Sequence, residues 1–196
     1  MSTPIRNDGP GLHHVVTRGN NKRDIFLTDA DRLFFCFTVD RLARAHGWKV
    51  LAYVLMRNHY HLLLSVGDEG LSRGMCRLNS GYARHYNGWH GRINHLFGKR
   101  YWSRYLETES SVQYAARYIV QNPRRAGMPG LLEGHPWSSY AATIGYEFPE
   151  IPLASDELLP FFGRTPTTAM AEFTAFCAEE PKADELAQVK VAATVT

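Results

Sequence analysis

Residues 48–66 spell out a β-hairpin, and that hairpin constrains the fold more than any other part of the chain. Residues 48–56 are apolar and β-prone, and 50–56 form the longest unbroken apolar run. Such a run suits a buried strand and falls far short of the ~20 residues that cross a bilayer. Arg57-Asn58 follows as a short turn. Residues 59–66 return as the second strand, with Tyr60, Leu62, Leu64 and Val66 on one face. A hairpin in mid-chain implies an antiparallel sheet, and helices then have to cover its faces.

The rest of the chain supplies those helices. Residues 12–17 read as a first strand, and Arg18-Gly19-Asn20-Asn21-Lys22-Arg23 as a polar, basic loop. A helix opens at Thr28-Asp29-Ala30-Asp31 and stops at Gly47. Over residues 69–90, Leu71, Met75, Leu78, Tyr82, Tyr86 and Trp89 recur at helical spacing, with Arg73, Arg77 and Arg84 opposite. Residues 95–106 mix aromatic and basic types and suit one or two strands. Ser110-Ser111-Val112-Gln113 has a capping-box pattern, opening a helix that Pro123 follows closely. Short helices are expected over 137–144, 155–162 and 166–179. This order is α+β rather than strict βα alternation, and a ferredoxin-like antiparallel sheet is the expected architecture. Residues 1–11 read as a flexible lead-in and 181–196 as a frayed tail.

Charge is divided unevenly. Residues 1–135 hold 19 Lys/Arg against 10 Asp/Glu, whereas residues 136–196 hold 3 against 9. A basic body suits a polyanionic partner. Cys36, Cys76 and Cys177 are odd in number and widely spaced, which argues against a disulfide framework and against a paired-cysteine zinc site. With no signal-like segment, the chain is expected to be cytoplasmic, with no membrane partner.

Three groups of residues could carry chemistry. His59 and His61 alternate with Tyr60, so both imidazoles point to one face of a strand and can converge on a divalent ion. The same spacing also fits two ordinary, half-exposed histidines. Tyr114, Tyr118 and Asn122 recur every four residues beside the apolar face of their helix. A phenol can be a nucleophile and an amide oxygen a metal ligand, or the pair can simply pack and cap. Arg18, Lys22 and Arg23, then Lys99, Arg100 and Arg104 among aromatics, then Arg124 and Arg125, suit single-stranded nucleic acid. Phosphates need cations there, and bases need stacking planes. His13 and His14 lie on or near the first strand, where one of them can back the active face.

These residues resemble a known family. Tyr53-Val54-Leu55-Met56-Arg57-Asn58-His59-Tyr60-His61-Leu62-Leu63 resembles the signature of the HUH single-tyrosine transposases. Arg117-Tyr118-Ile119-Val120-Gln121-Asn122-Pro123-Arg124-Arg125-Ala126-Gly127 resembles the tyrosine helix of their REP-associated branch. Val15-Val16-Thr17-Arg18-Gly19-Asn20 and Trp137-Ser138-Ser139-Tyr140 are similar to that branch as well. The resemblance covers about residues 12–145, which it implies to be the catalytic domain, with 146–180 a helical C-terminal extension.

The resemblance also implies an RRM-like sheet with the histidines on a central strand. His59 and His61 match metal ligands, Asn122 a third polar ligand that is glutamine in some relatives, and Tyr118 the catalytic tyrosine. The implied cofactor is Mg²⁺ or Mn²⁺. The implied partner is single-stranded or hairpin DNA, contacted by Arg18, Asn20, Lys22, Arg23, Lys99, Arg100, Arg104, Arg124 and Arg125. The implied reaction is cleavage and rejoining of DNA near hairpins through a 5′-phosphotyrosine, by a monomer or homodimer that is nucleoid-associated when DNA-bound.

Two departures stand out. Many relatives have proline at Arg57 and a small aliphatic residue at Tyr60, changes expected to alter DNA contacts rather than chemistry. Two other readings remain open at this stage. One is a non-catalytic nucleic-acid-binding module on the same sheet. The other is a metal-dependent phosphodiesterase that uses water.

Overall fold

The computed structural model describes residues 7–128, 130 and 132–189. Four strands, β1 (Gly11–Arg18), β2 (Lys49–Met56), β3 (His59–Val66) and β4 (Trp102–Tyr105), form one sheet in the order β2-β3-β1-β4. Every pairing is antiparallel. With α1 (Asp29–His46) between β1 and β2, and α2 (Ser72–Trp89) between β3 and β4, this is the ferredoxin-like topology expected from the sequence. Strand β3, which carries His59 and His61, lies inside the sheet.

Period-two alternation sends each strand's side chains to two different cores. On one face, α1 and α2 cover Val15, Tyr53, Leu55, Tyr60, Leu62 and Leu64 with Phe35, Val39, Met75, Leu78, Tyr82 and Tyr86. On the other face, α3 (Glu109–Val120) and α7 (Pro166–Ala178) close over Leu51, Val54 and Leu63. Between them in sequence come the short helices α4 (Asn122–Arg125), α5 (Tyr140–Thr143) and α6 (Ser155–Leu158).

Local signals set the helix ends. Thr28 accepts from the Asp31 amide, and Asp31 accepts from the Leu27 and Thr28 amides at 2.9 Å each. Gly47 ends α1 in the left-handed region, φ 62°. The cap of α3 is Thr108 with Ser111, two residues ahead of the expected Ser110 start. α3 ends at Val120, close before Pro123 as expected, and Pro123 sits in the first turn of α4, where its missing N–H costs nothing.

Some expectations are corrected. Trp89 was placed on the buried stripe of α2 but is 71% exposed, because the stripe reaches the helix end and leaves the core. Tyr60 lies wholly in the α1/α2 core, its hydroxyl donating to Asn79 Oδ1 at 2.6 Å, so its place is in the packing and not on the surface. Residues 183–189 of the expected frayed tail form α8 (Ala183–Val189), which packs on α3. Residues 190–196 and 1–6, also expected to be loose, lie outside the described residues.

The outer edge of β2 is covered. Leu55 N–H donates to Trp137 O at 2.8 Å and Tyr53 N–H to Ser139 Oγ at 3.0 Å. Ser139 and Ala154 N–H groups donate back to Tyr53 O and Val50 O. Among the described residues, no helix is long and apolar enough to cross a membrane.

Candidate active site

Strand β3 aims His59 and His61 at the face that α3 crosses, with ring centroids 5.1 Å apart. The continuous turns of α3 and α4 bring Tyr118 and Asn122 down on the same side. Asn122 lies between the two imidazoles: its Oδ1 is 3.0 Å from His59 Nε2, and its Nδ2 is 3.2 Å from His61 Nε2. The Tyr118 ring stands edge-on to His61 at 5.6 Å and to His14 at 5.9 Å. The structure therefore gathers all four residues singled out by the sequence into one cluster. Tyr118 and Asn122 are each 8% exposed, so the cluster is largely shielded from solvent.

Burial sets the charge state of this cluster. It lowers the pKa of His59 to about 4, helped by the nearby Arg18 cation and opposed by the Asn122 contact. His61 falls well below its usual value through burial, then through His59, His14 and Arg18. Both rings are neutral near pH 7, the state that a metal requires. The Tyr118 phenol is pushed up by burial, while the Arg125 cation, 5.1 Å from its ring, works to lower it. The Tyr118 hydroxyl has no hydrogen-bond partner among the described residues, so no contact there fixes its direction.

The donor set fits a divalent cation. Among the described residues, no three His, Cys, Asp or Glu side chains are grouped to hold one. The set here is two neutral imidazole nitrogens and an amide oxygen. His59 Nε2 and Asn122 Oδ1 face each other at 3.0 Å. Two ligands ~2.1 Å from one octahedral ion are about 3.0 Å apart, so this pair is spaced as adjacent ligands would be.

Sequence reasoning saw less of the supporting residues. His14 is fully buried, and its Nε2 lies 2.9 Å from His61 Nδ1. Its position on the same strand face as Leu12 and Val16 was the available signal. Asn58 lies 2.6 Å from His59 Nδ1, and nothing in its turn position announced that. Trp102 of β4 stands edge-on to His14 at 5.5 Å.

The residues expected to meet DNA fall into four groups. Arg18 and Arg125 border the cluster. Asn20, Lys22 and Arg23 lie in the loop after β1, where the Asn20 amide donates to Leu96 O. Lys99 and Arg100 line a groove of about 660 Å³ with Arg84 of α2, and no carboxylate lines it. The other two are engaged elsewhere. Arg124 pairs with Glu180 at 2.6 Å, and Arg104 reaches Ala187 O of α8 at 3.5 Å. Arg57 pairs with Asp24 at 2.6 Å.

The chain belongs to the IS200-like transposase family, whose profile matches residues 12–122. The solved structure of the REP-associated tyrosine transposase bound to a REP hairpin is similar in fold. Its TM-score is 0.63 at 17% identity, over 79% of this chain and 92% of that one. A crystal structure of a candidate transposase from Deinococcus radiodurans R1 is a more distant likeness. It has a TM-score of 0.41 and 14% identity, over 67% of this chain and all of that one. No curated protein sequence matches this chain.

Proposed function

We propose that this protein cuts and rejoins single-stranded DNA near hairpins, using Tyr118 as the nucleophile. The observation that carries the reading is the convergence of His59, His61, Asn122 and Tyr118 in one largely buried cluster. Binding alone needs no such group. Membership in the IS200-like transposase family and the shared fold support the same reading.

His59, His61 and Asn122 would hold Mg²⁺ or Mn²⁺, which when bound withdraws charge from a scissile phosphate and fixes its orientation. Tyr118 Oη forms a bond to phosphorus as the P–O3′ bond breaks. The phenol proton leaves and the departing 3′ oxygen gains one. The products are a 5′-phosphotyrosine and a free 3′-OH. The ester keeps the energy of the broken bond, so a 3′-OH on another strand can reverse the step without ATP. Arg125 beside the phenol and Arg18 beside the histidines supply positive charge where phosphate charge arrives. Arg18, Asn20, Lys22, Arg23, Lys99 and Arg100 form the proposed path for the strand.

The test uses a labelled single-stranded hairpin with flanking sequence, incubated with protein and Mn²⁺ or Mg²⁺ and run on a denaturing gel. A labelled protein band that needs metal and disappears in Tyr118→Phe supports the reading. Cleaved DNA without that band, undiminished in Tyr118→Phe, would instead mean a nuclease that uses water.

A further inference from the structure

His59 faces two oxygens and, when neutral, has one proton to offer. Its Nδ1 lies 2.6 Å from Asn58 Oδ1 and its Nε2 lies 3.0 Å from Asn122 Oδ1. A neutral imidazole carries a single N–H, so one of these contacts sets a lone pair against an oxygen. The surroundings of Asn58 decide which. Its amide nitrogen donates to the Lys22 carbonyl at 3.1 Å. Turning that amide over would press its oxygen against the same carbonyl and leave both without a donor. Asn58 Oδ1 is therefore fixed as an acceptor, and the proton of His59 sits on Nδ1. The Asn122 amide lies between the two histidines and makes no contact of that kind with a backbone carbonyl.

The carbonyl that fixes Asn58 belongs to an unusual stretch of backbone. Asn21 and Lys22 are successive non-glycine residues in the left-handed region, φ 51° and 60°. Such residues cost on the order of 1–3 kcal/mol each and persist only where their surroundings hold them. The loop is held in part by Asn58, whose carbonyl accepts from Gly19 N–H at 2.8 Å. It also closes tightly on itself: a Cβ at Gly19 would lie 2.1 Å from the Arg23 carbonyl oxygen. The side chains that this backbone presents to solvent are Asn21, Lys22 and Arg23, two of them cationic.

We propose that Asn58 is a positioning residue that holds His59 as the Nδ1–H tautomer, keeps the Nε2 lone pair turned toward Asn122, and so couples the ligand set to the seating of the basic loop. This rests on His59 acting as a metal ligand, as proposed above. If the loop lifts, the Lys22 carbonyl leaves, the Asn58 amide is free to turn, and His59 can place its proton on Nε2, where it blocks a cation. Phosphates bound to Lys22 and Arg23 favour the seated loop. By linkage, DNA and metal then strengthen each other's binding by the same factor.

The test uses the full chain carrying Tyr118→Phe, so that no covalent step intervenes. Histidine tautomers are read by ¹⁵N NMR without metal. Mn²⁺ affinity is read by electron paramagnetic resonance, with and without a flanked DNA hairpin. The parent should show His59 protonated on Nδ1 and should bind Mn²⁺ more tightly with DNA present. Asn58→Ala should move the proton to Nε2 and weaken Mn²⁺ binding by about 10–100-fold. Asn58→Asp keeps an acceptor for Nδ1 but cannot donate to the Lys22 carbonyl. It should keep the tautomer and the Mn²⁺ affinity while reducing the effect of DNA to the part that a phosphate at the metal itself supplies. An unchanged tautomer in Asn58→Ala would overturn the proposal. So would Asn58→Asp behaving like Asn58→Ala, which would make Asn58 a turn former only. A parent that binds no Mn²⁺ would refute the ligand reading itself, while the tautomer in metal-free protein would still decide the part played by Asn58.

Discussion

The two faces of the sheet are built from the same strands and each buries an apolar core, but only one of them also holds a polar cluster. On the α1/α2 face, β3 contributes Tyr60, Leu62 and Leu64 to a core of interlocking aromatic and aliphatic side chains. On the α3 face the same strand contributes His59 and His61, and only Leu63 joins the apolar packing. The first face removes apolar surface from water. The second does so too, with Leu51, Val54 and Leu63 under α3 and α7, but sets beside that core two histidines whose ring nitrogens meet Asn58, Asn122 and His14. The difference teaches that stability and chemistry are separated here by a single peptide step, and that each can be perturbed alone.

The sharpest way to test that separation is Tyr118→Phe. Adduct formation should fall by roughly three orders of magnitude or more. The melting temperature should stay nearly unchanged, because the hydroxyl has no partner to lose. A large drop in melting temperature would show the two faces to be one cooperative unit.

The counterpart on the other face is Leu62→Ala. Leu62 is fully buried, so about 2–5 kcal/mol of stability should be lost in urea unfolding. Adduct yield well below the new melting point should be retained.

A smaller effect is expected at the start of α1. Burial works to raise the Asp31 pKa, but hydrogen bonds from His90, Thr28 and Leu27 outweigh it and leave the value below 3.8. The Asp31 contribution is therefore complete above the unfolded value and is lost as pH falls through the lower folded one. Asp31→Asn should cost about 1–2 kcal/mol at pH 7, and the difference from wild type should shrink in acid-unfolding curves below pH 4. A difference that holds constant with pH would remove the carboxylate from the account.

The smallest effect should come from Arg125→Ala. The cation over the Tyr118 ring is exposed, so its loss should slow adduct formation only a few-fold. The pH dependence should move to higher pH, since one group opposing the raised phenol pKa is gone. Stability should not change measurably.

Much of this comparison could be read from residue order. Strand alternation alone puts His59 and His61 together and Tyr60 on the opposite face. Helical spacing alone aligns Tyr118 with Asn122. What could not be read were contacts between elements distant in sequence. His14 meets His61 because β1 pairs with β3 in a register that places Val16 opposite His61. Arg117 looks like a surface cation beside Tyr118. It is instead buried, stacked 3.9 Å from the Phe176 ring and ion-paired with Glu185 of α8. Arg124 is likewise bound by Glu180. The acidic end of the chain thus neutralises part of the basic surplus that the composition had pointed toward DNA. No local pattern near Arg117 or Arg124 announces a partner some sixty residues downstream.

One consequence concerns assembly. The outer edge of β2 is occupied by residues 137–139 and 153–154, which take up its backbone donors and acceptors at Val50, Tyr53 and Leu55. An uncovered edge strand is a template for another chain. Here that template is already filled from within the same molecule. A second copy joining by strand pairing would have to approach beside β4, a strand of only four residues. Among the described residues, growth of the sheet past β2 is closed, so pairing through β4 would join two copies and leave each with its β2 edge already filled.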